Sequence, residues 1–287
     1  LDSAVELMDA QVRNRYLNEY NNITVDEIKS KIRGRMDLFV KAPVIMKTDF
    51  HGTVLEMGCG AGILSCCLSK MPNVDQVIAL DYSKVAVDEL LPITIEKLGG
   101  KKNKITCIHG SFNAMELDDE SVDFIVSTGT LHHSEDLAKT AKECLRVLKP
   151  GGWCVHADRV FGSQEERIKN QSGLKKQIKK EKVSFRYGEG YEDKKITSEM
   201  ISTHWLHVST LEHHFLKQKF IIHSVHLIKS RNFKLLFYLI YKILGNFLLQ
   251  NSHLFSSINV PIYPWFVHEA SFNGQAYKNI LFLCQKP

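Results

Sequence analysis

Chemistry in this chain concentrates where glycine meets acid. Residues 53–62 read TVLEMGCGAG: a short apolar run reaches Glu56, and Gly58, Gly60 and Gly62 follow at alternate positions. Without Cβ atoms a ligand can approach such a backbone closely, and the helix-like run from Ile63 to Lys70 offers unpaired N–H groups at its start. A flat or polar ligand suits this turn. A second apolar run, Gln76 to Leu80, ends in Asp81. It falls about 20 residues beyond the glycines, where nucleoside-binding α/β folds place a carboxylate for ribose hydroxyls. The glycine spacing is G-x-G-x-G, not the G-x-G-x-x-G of dinucleotide sites, which counts against a nicotinamide oxidoreductase.

Histidine supplies the other chemistry, because it exchanges protons near neutrality. Of thirteen histidines, His132 and His133 follow directly on the fourth apolar run, at the edge where two ligands would meet. His204 and His207 lie three apart, a spacing that puts both on one helical face and suits a base or a pair of metal ligands. No carboxylate stands at matching spacing, so no metal site is expected. His156, Asp158 and Arg159 end the fifth run, where Asp158 or Arg159 could orient a polar substrate or form a salt bridge within the cap. The seven cysteines include no C-x-x-C pair, which reads as reduced, buried thiols in a cytoplasm.

These residues need elements to hold them. Apolar runs at 53–57, 76–80, 104–109, 122–127 and 153–157 alternate with helical patterns, which predicts a mostly parallel sheet with ligands beyond the carboxyl ends of its strands. Ser83 is a suitable N-cap for a helix running to Leu98, and Pro92 should kink or interrupt it. Two helices occupy the first fifty residues, with Val5, Met8, Val12 and Leu17 on one apolar face and Ile28, Ile32, Met36, Phe39 and Val40 on the other.

Taken together, the ordered motifs E-x-G-C-G-x-G, D-x-S, L-H-H and L-K-P-G-G resemble the class I S-adenosylmethionine-dependent methyltransferases, in the branch acting on small molecules. The resemblance covers roughly residues 50–160. It implies a Rossmann-like, seven-stranded, mostly parallel α/β sheet with helices on both faces, N-terminal helices and a helical cap. It also implies S-adenosylmethionine as cofactor. Glu56, Gly58, Gly60 and Gly62 would hold its methionine part, Asp81 its ribose, and Tyr82 its adenine, with Ser111, Phe112 and Thr128 completing the site. The family often has Gly-Asp-Ala after strand three, where this chain has Gly110-Ser111-Phe112; an uncharged serine would accept the adenine amino group more weakly. N-terminal helices in such proteins close over the cofactor, so Tyr16, Tyr20 or Arg35 could line the site. His132, His133 or His207 would act as base where the acceptor carries a proton to remove.

The chain divides into an N-terminal helical lid (1–50), the cofactor core (51–160), a cap insertion (161–215) and closing strands (216–287) around a helical insertion at 230–277. The segment Gln164 to Lys182 is rich in lysine and reads as a solvated face, with docking of RNA or a carrier protein as the alternative. A net charge of +5 does not point to nucleic acid. Phe233 to Leu249 is apolar except for a stripe of Lys234, Tyr238, Lys242 and Asn246. It is too short and too charged to span a bilayer, and reads as a lid first, a homodimer interface second and a membrane-surface helix last. The expectation is a methyltransferase acting on a small or medium-sized hydrophobic or aromatic metabolite. The rivals are a macromolecular methyltransferase and a non-catalytic partner subunit.

Overall fold

The computed structural model describes residues 6, 8–10, 12–33, 36–134, 136–158, 215, 217–219, 221–227, 268–269 and 280–287. The strands are β1 (Gly52–Met57), β2 (Val74–Asp81), β3 (Ile105–His109), β4 (Val122–Thr128), β5 (Leu148–Asp158), β6 (Ile221–Leu227), β7 (His268–Glu269) and β8 (Ile280–Gln285). They form one sheet in the order β3-β2-β1-β4-β5-β8-β6-β7. The ladders from β3 to β5 are all parallel, whereas β8 runs antiparallel to both neighbours, β5 and β6. The seven strands expected from the sequence are present, with the last one reversed. The two-residue β7 is an additional edge strand on β6.

Parallel strands covered on both faces read as continuous apolar runs, and alternate residues feed two cores. Val54, Val77, Phe124, Val126, Val155, Leu281 and Leu283 pack on one face under the N-terminal helices; Leu55, Met57, Ile78, Leu80, Ile125, Cys154 and Phe282 pack on the other. The helices are α1 (Asn18–Asn22), extending a π-helical turn at Arg13–Leu17, then α2 (Val25–Arg33), α3 (Met36–Met46), α4 (Ile63–Ser69), α5 (Leu91–Leu98) and α6 (Leu137–Val147).

Pro92 acts as expected: the chain runs as a π-helix over Ala86–Leu90 and becomes α-helical at Leu91, which leaves proline in the first turn where no N–H is required. Ser83 Oγ accepts the Ala86 N–H at 3.1 Å, the expected cap. The strand β5 begins earlier than its apolar run because Leu148 already pairs with Val122 and Lys149 Nζ bonds Asp123 Oδ2 at 2.8 Å. The cap insertion, apart from Phe215, and the apolar stretch 233–249 lie outside the described residues. No helix among the described residues is long and apolar enough to cross a membrane.

Candidate active site

The carboxyl ends of β1, β2 and β4 open on a cavity of about 520 Å³, roofed by the N-terminal helical segment through Met8, Val12, Tyr16 and Tyr20. That volume lies within the ~300–1,000 Å³ usual for small-molecule sites. On its floor Gly60, at φ +50°, donates its N–H to Asp81 Oδ2 at 2.8 Å, and a Cβ on Gly60 would meet nothing within 4 Å. Asp81 Oδ1 accepts the Ser83 N–H at 2.9 Å. Burial pushes the Asp81 carboxyl above its ordinary value, and the N–H groups of Ser83, Gly60 and Tyr82 oppose that rise.

The three glycines have different tasks. Gly58, at φ +65°, lets Thr130 close on the backbone, because a Cβ there would stand 2.4 Å from Thr130 Cγ2. Gly62 does not line the cavity as the sequence reading expected. It caps α4 at φ +69°, and a Cβ there would lie 1.7 Å from Leu91 Cδ1, so its role is packing between α4 and α5. Glu56 is buried yet reaches the cavity wall, and its Oε2 accepts the Ser65 N–H at 2.7 Å and the Ser65 hydroxyl, which anchors the start of α4. Tyr82, Ser111, Phe112 and Thr128 all line the cavity.

Of the histidines, His133 lines the cavity at the end of a 3-10 turn, Leu131–His133, that also holds the backbone of His132. His204, His207, Arg159 and Arg35 fall outside the described residues. Asp158 is buried and accepts the Thr130 N–H at 3.1 Å, so it braces the loop after β4 and does not line the cavity. His156 is wholly buried below that loop, with Nδ1 2.8 Å from Ser127 Oγ, and burial lowers its pKa to about 4.

Sequence reasoning missed several supporting residues. Asn113 lines the cavity and is held from α6: its amide nitrogen donates to Asp136 O at 3.0 Å and Thr140 Oγ1 at 2.6 Å. Lys31 reaches the cavity from α2, with Nζ 2.8 Å from Glu19 Oε1. Asp9 Oδ1 accepts the Ser83 hydroxyl at 2.7 Å and the Val85 N–H at 3.0 Å, and Arg13 Nη2 pairs with Glu89 Oε1 at 2.6 Å. These contacts latch the roof onto the turn that follows Asp81. The only sequence signal for them was an acid on an N-terminal helix, which does not name its partner.

A side-chain-free face at Gly60, a carboxylate on the next strand and an apolar roof fit an adenosyl cofactor better than a pyrophosphate, which would call for an open helix N-terminus. Here the start of α4 is already occupied by Glu56.

Residues 55–156, a little over a third of the chain, match the family model described as Methyltransferase domain. A probable S-adenosylmethionine-dependent methyltransferase of Mycolicibacterium smegmatis is 32% identical over 34% of this chain and 35% of its own length. The demethylmenaquinone methyltransferase of Shouchella clausii is 30% identical over 36% of this chain and 43% of its own. The chain thus spans about a third to two fifths of the length of these curated relatives. Among solved structures, Haemonchus contortus phosphoethanolamine N-methyltransferase 2 in complex with S-adenosyl-L-methionine superposes with a TM-score of 0.52, at 18% identity, over 88% of this chain and 52% of that one, which speaks for the fold. Residues 55–156 are therefore an S-adenosylmethionine-dependent methyltransferase domain. The cofactor of this domain is S-adenosylmethionine.

Proposed function

We propose that the chain transfers the methyl group of S-adenosylmethionine to a small or medium-sized metabolite with an apolar or aromatic body. The observation that carries this reading is the Gly60–Asp81 pair under a roof of Met8, Val12, Tyr16 and Tyr20. When bound, the cofactor would supply a sulfonium methyl group, which the acceptor takes by in-line attack on the methyl carbon while the sulfur leaves as the thioether of S-adenosylhomocysteine.

The chain's own residues bind, orient and exclude water. Glu56, Gly58 and Gly60 hold the methionine end, Asp81 the ribose hydroxyls, Tyr82 and Phe112 the adenine faces, and Ser111 and Thr128 the polar edges. The roof keeps water from the reacting atoms. His133, on the cavity wall after β4, takes the proton of a hydroxyl or ammonium acceptor.

The matched domain does not fix the acceptor, since it occurs in proteins named for acceptors as unlike as demethylmenaquinone and, at the level of fold, phosphoethanolamine. The apolar and aromatic roof supports the hydrophobic class. Incubating the chain with methyl-labelled cofactor and panels of quinols, phenols, hydrophobic amines, small polar amines and transfer RNA tests this. Label on an apolar acceptor supports the proposal; label confined to the polar amines or RNA contradicts it.

A further inference from the structure

Below the loop after β4, and used by no step above, lies a buried cluster of soft donors. The Sγ atoms of Cys144 on α6 and Cys154 on β5 and a ring nitrogen of His156 on β5 all lie within 4.8 Å of one another, and all three residues are fully buried. Cys284 on β8 faces Cys154 across the antiparallel ladder, and their thiols interact. Met57 Sδ is 3.8 Å from Cys144 Sγ.

Buried cysteines commonly serve as small apolar residues, but the imidazole here needs a further explanation. His156 Nδ1 sits 2.8 Å from Ser127 Oγ, while Nε2 has no hydrogen-bond partner among the described residues. A buried polar atom left alone points to a water, an ion or a functional role. With Nδ1–H donating to Ser127 Oγ, Nε2 carries a lone pair and the neutral ring is in the form that ligates metals. Ser127 then does what an outer hydrogen-bond partner does in metal sites: it fixes the tautomer and aims the ring.

We propose that Cys144, Cys154, His156 and Cys284 form a binding site for a thiophilic cation of the zinc type. Three sulfurs and one imidazole are a known tetrahedral donor set for structural zinc. On binding, three S–M bonds and one N–M bond form, and the three thiol protons leave to solvent. Because the thiol protons must leave for the sulfurs to bind, metal affinity rises with pH. Metal–sulfur bonds of about 2.3 Å require Cys144, Cys154 and His156 to draw together by roughly 1 Å, while Cys284 enters from across the β5–β8 ladder beside Cys154. The site would clamp the last strand, β8, to β5 and α6.

The test uses the full chain, purified under reducing conditions, stripped with a chelator and titrated with cobalt(II). The expected result is saturation at one cobalt per chain, with thiolate-to-cobalt charge-transfer absorption and the d–d bands of tetrahedral cobalt, both reversed by zinc. Cys154→Ser and His156→Gln abolish the bands. Core changes can unfold a protein, so circular dichroism accompanies each variant, and Ser127→Ala gives an independent reading: about 10–100-fold weaker cobalt binding in a folded chain. A folded wild-type chain with no saturable band, or a Ser127→Ala titration identical to wild type, overturns the proposal.

Discussion

The Gly60 N–H donates to Asp81 Oδ2 at 2.8 Å, so the carboxylate on β2 holds in place the glycine turn that follows β1. The same carboxylate takes the Ser83 N–H, and Ser83 in turn is bonded to Asp9 on the roof. Floor, ribose ligand and roof are thereby one connected unit. Asp81→Asn puts an amide where two N–H donors need acceptors, leaving one donor unsatisfied, and removes the charge offered to the ribose. Calorimetric affinity for S-adenosylhomocysteine should fall roughly 10–100-fold, about 1.4–2.8 kcal/mol.

Cofactor affinity should also depend on acid. Burial raises native Asp81 above its ordinary value of 3.8, so the folded chain keeps this proton when the unfolded chain has lost it. Between those two values the Asp81 contribution to free-protein stability falls as pH rises, because native Asp81 is the tighter proton binder. In the same window the ionised form that accepts ribose hydroxyls grows in, so affinity rises with pH. A titration series upward from pH about 4 checks this, and Asp81→Asn should flatten the trend.

Gly60→Ala and Gly62→Ala should separate binding from folding. At Gly60 the added Cβ meets open cavity, so stability falls only by the backbone cost of a positive φ, about 1–2 kcal/mol, while cofactor binding is lost. At Gly62 the same methyl collides with Leu91 Cδ1, and stability should fall by about 3 kcal/mol or more. Denaturation midpoints and calorimetry on both variants distinguish the two.

Asp9→Ala removes the acceptor for Ser83 Oγ and the Val85 N–H. Loss of such a cap costs about 1 kcal/mol. Since the same helical segment supplies Met8 and Val12 to the roof, cofactor affinity should weaken several-fold along with the melting temperature.

Arg146 makes five hydrogen bonds, three to the turn at Met115 O, Leu117 O and Asp119 and two to the carboxylate oxygens of Glu143 on its own helix. Arg146→Lys keeps the charge but cannot reproduce the planar fork, and should cost about 2 kcal/mol in denaturant unfolding.

Much of the frame was legible in the sequence because it is encoded locally. Val54 to Met57 and Val77 to Leu80 are buried on both faces and so read as apolar runs, broken only by Glu56, and Asp81 declares itself by its distance from the glycines. The glycines could be recognised but not told apart, because the space beside each is set by Thr130, by open cavity and by Leu91, none of which spacing reveals. Asp9, Asn113 and the group at 144, 154, 156 and 284 were hidden for the same reason: each depends on contacts between distant segments. The absence of a C-x-x-C pair argued against a metal site, yet β5, β8 and α6 bring scattered thiols together.

The central claim is that the Gly60–Asp81 floor holds S-adenosylmethionine. Isothermal titration of the full chain with S-adenosylmethionine and S-adenosylhomocysteine, with NAD as control, tests it most directly. The account predicts micromolar binding of the first two, none of NAD, and loss of both in Gly60→Ala while the fold survives. No binding by the folded wild-type chain, or binding undiminished in Gly60→Ala, would contradict it.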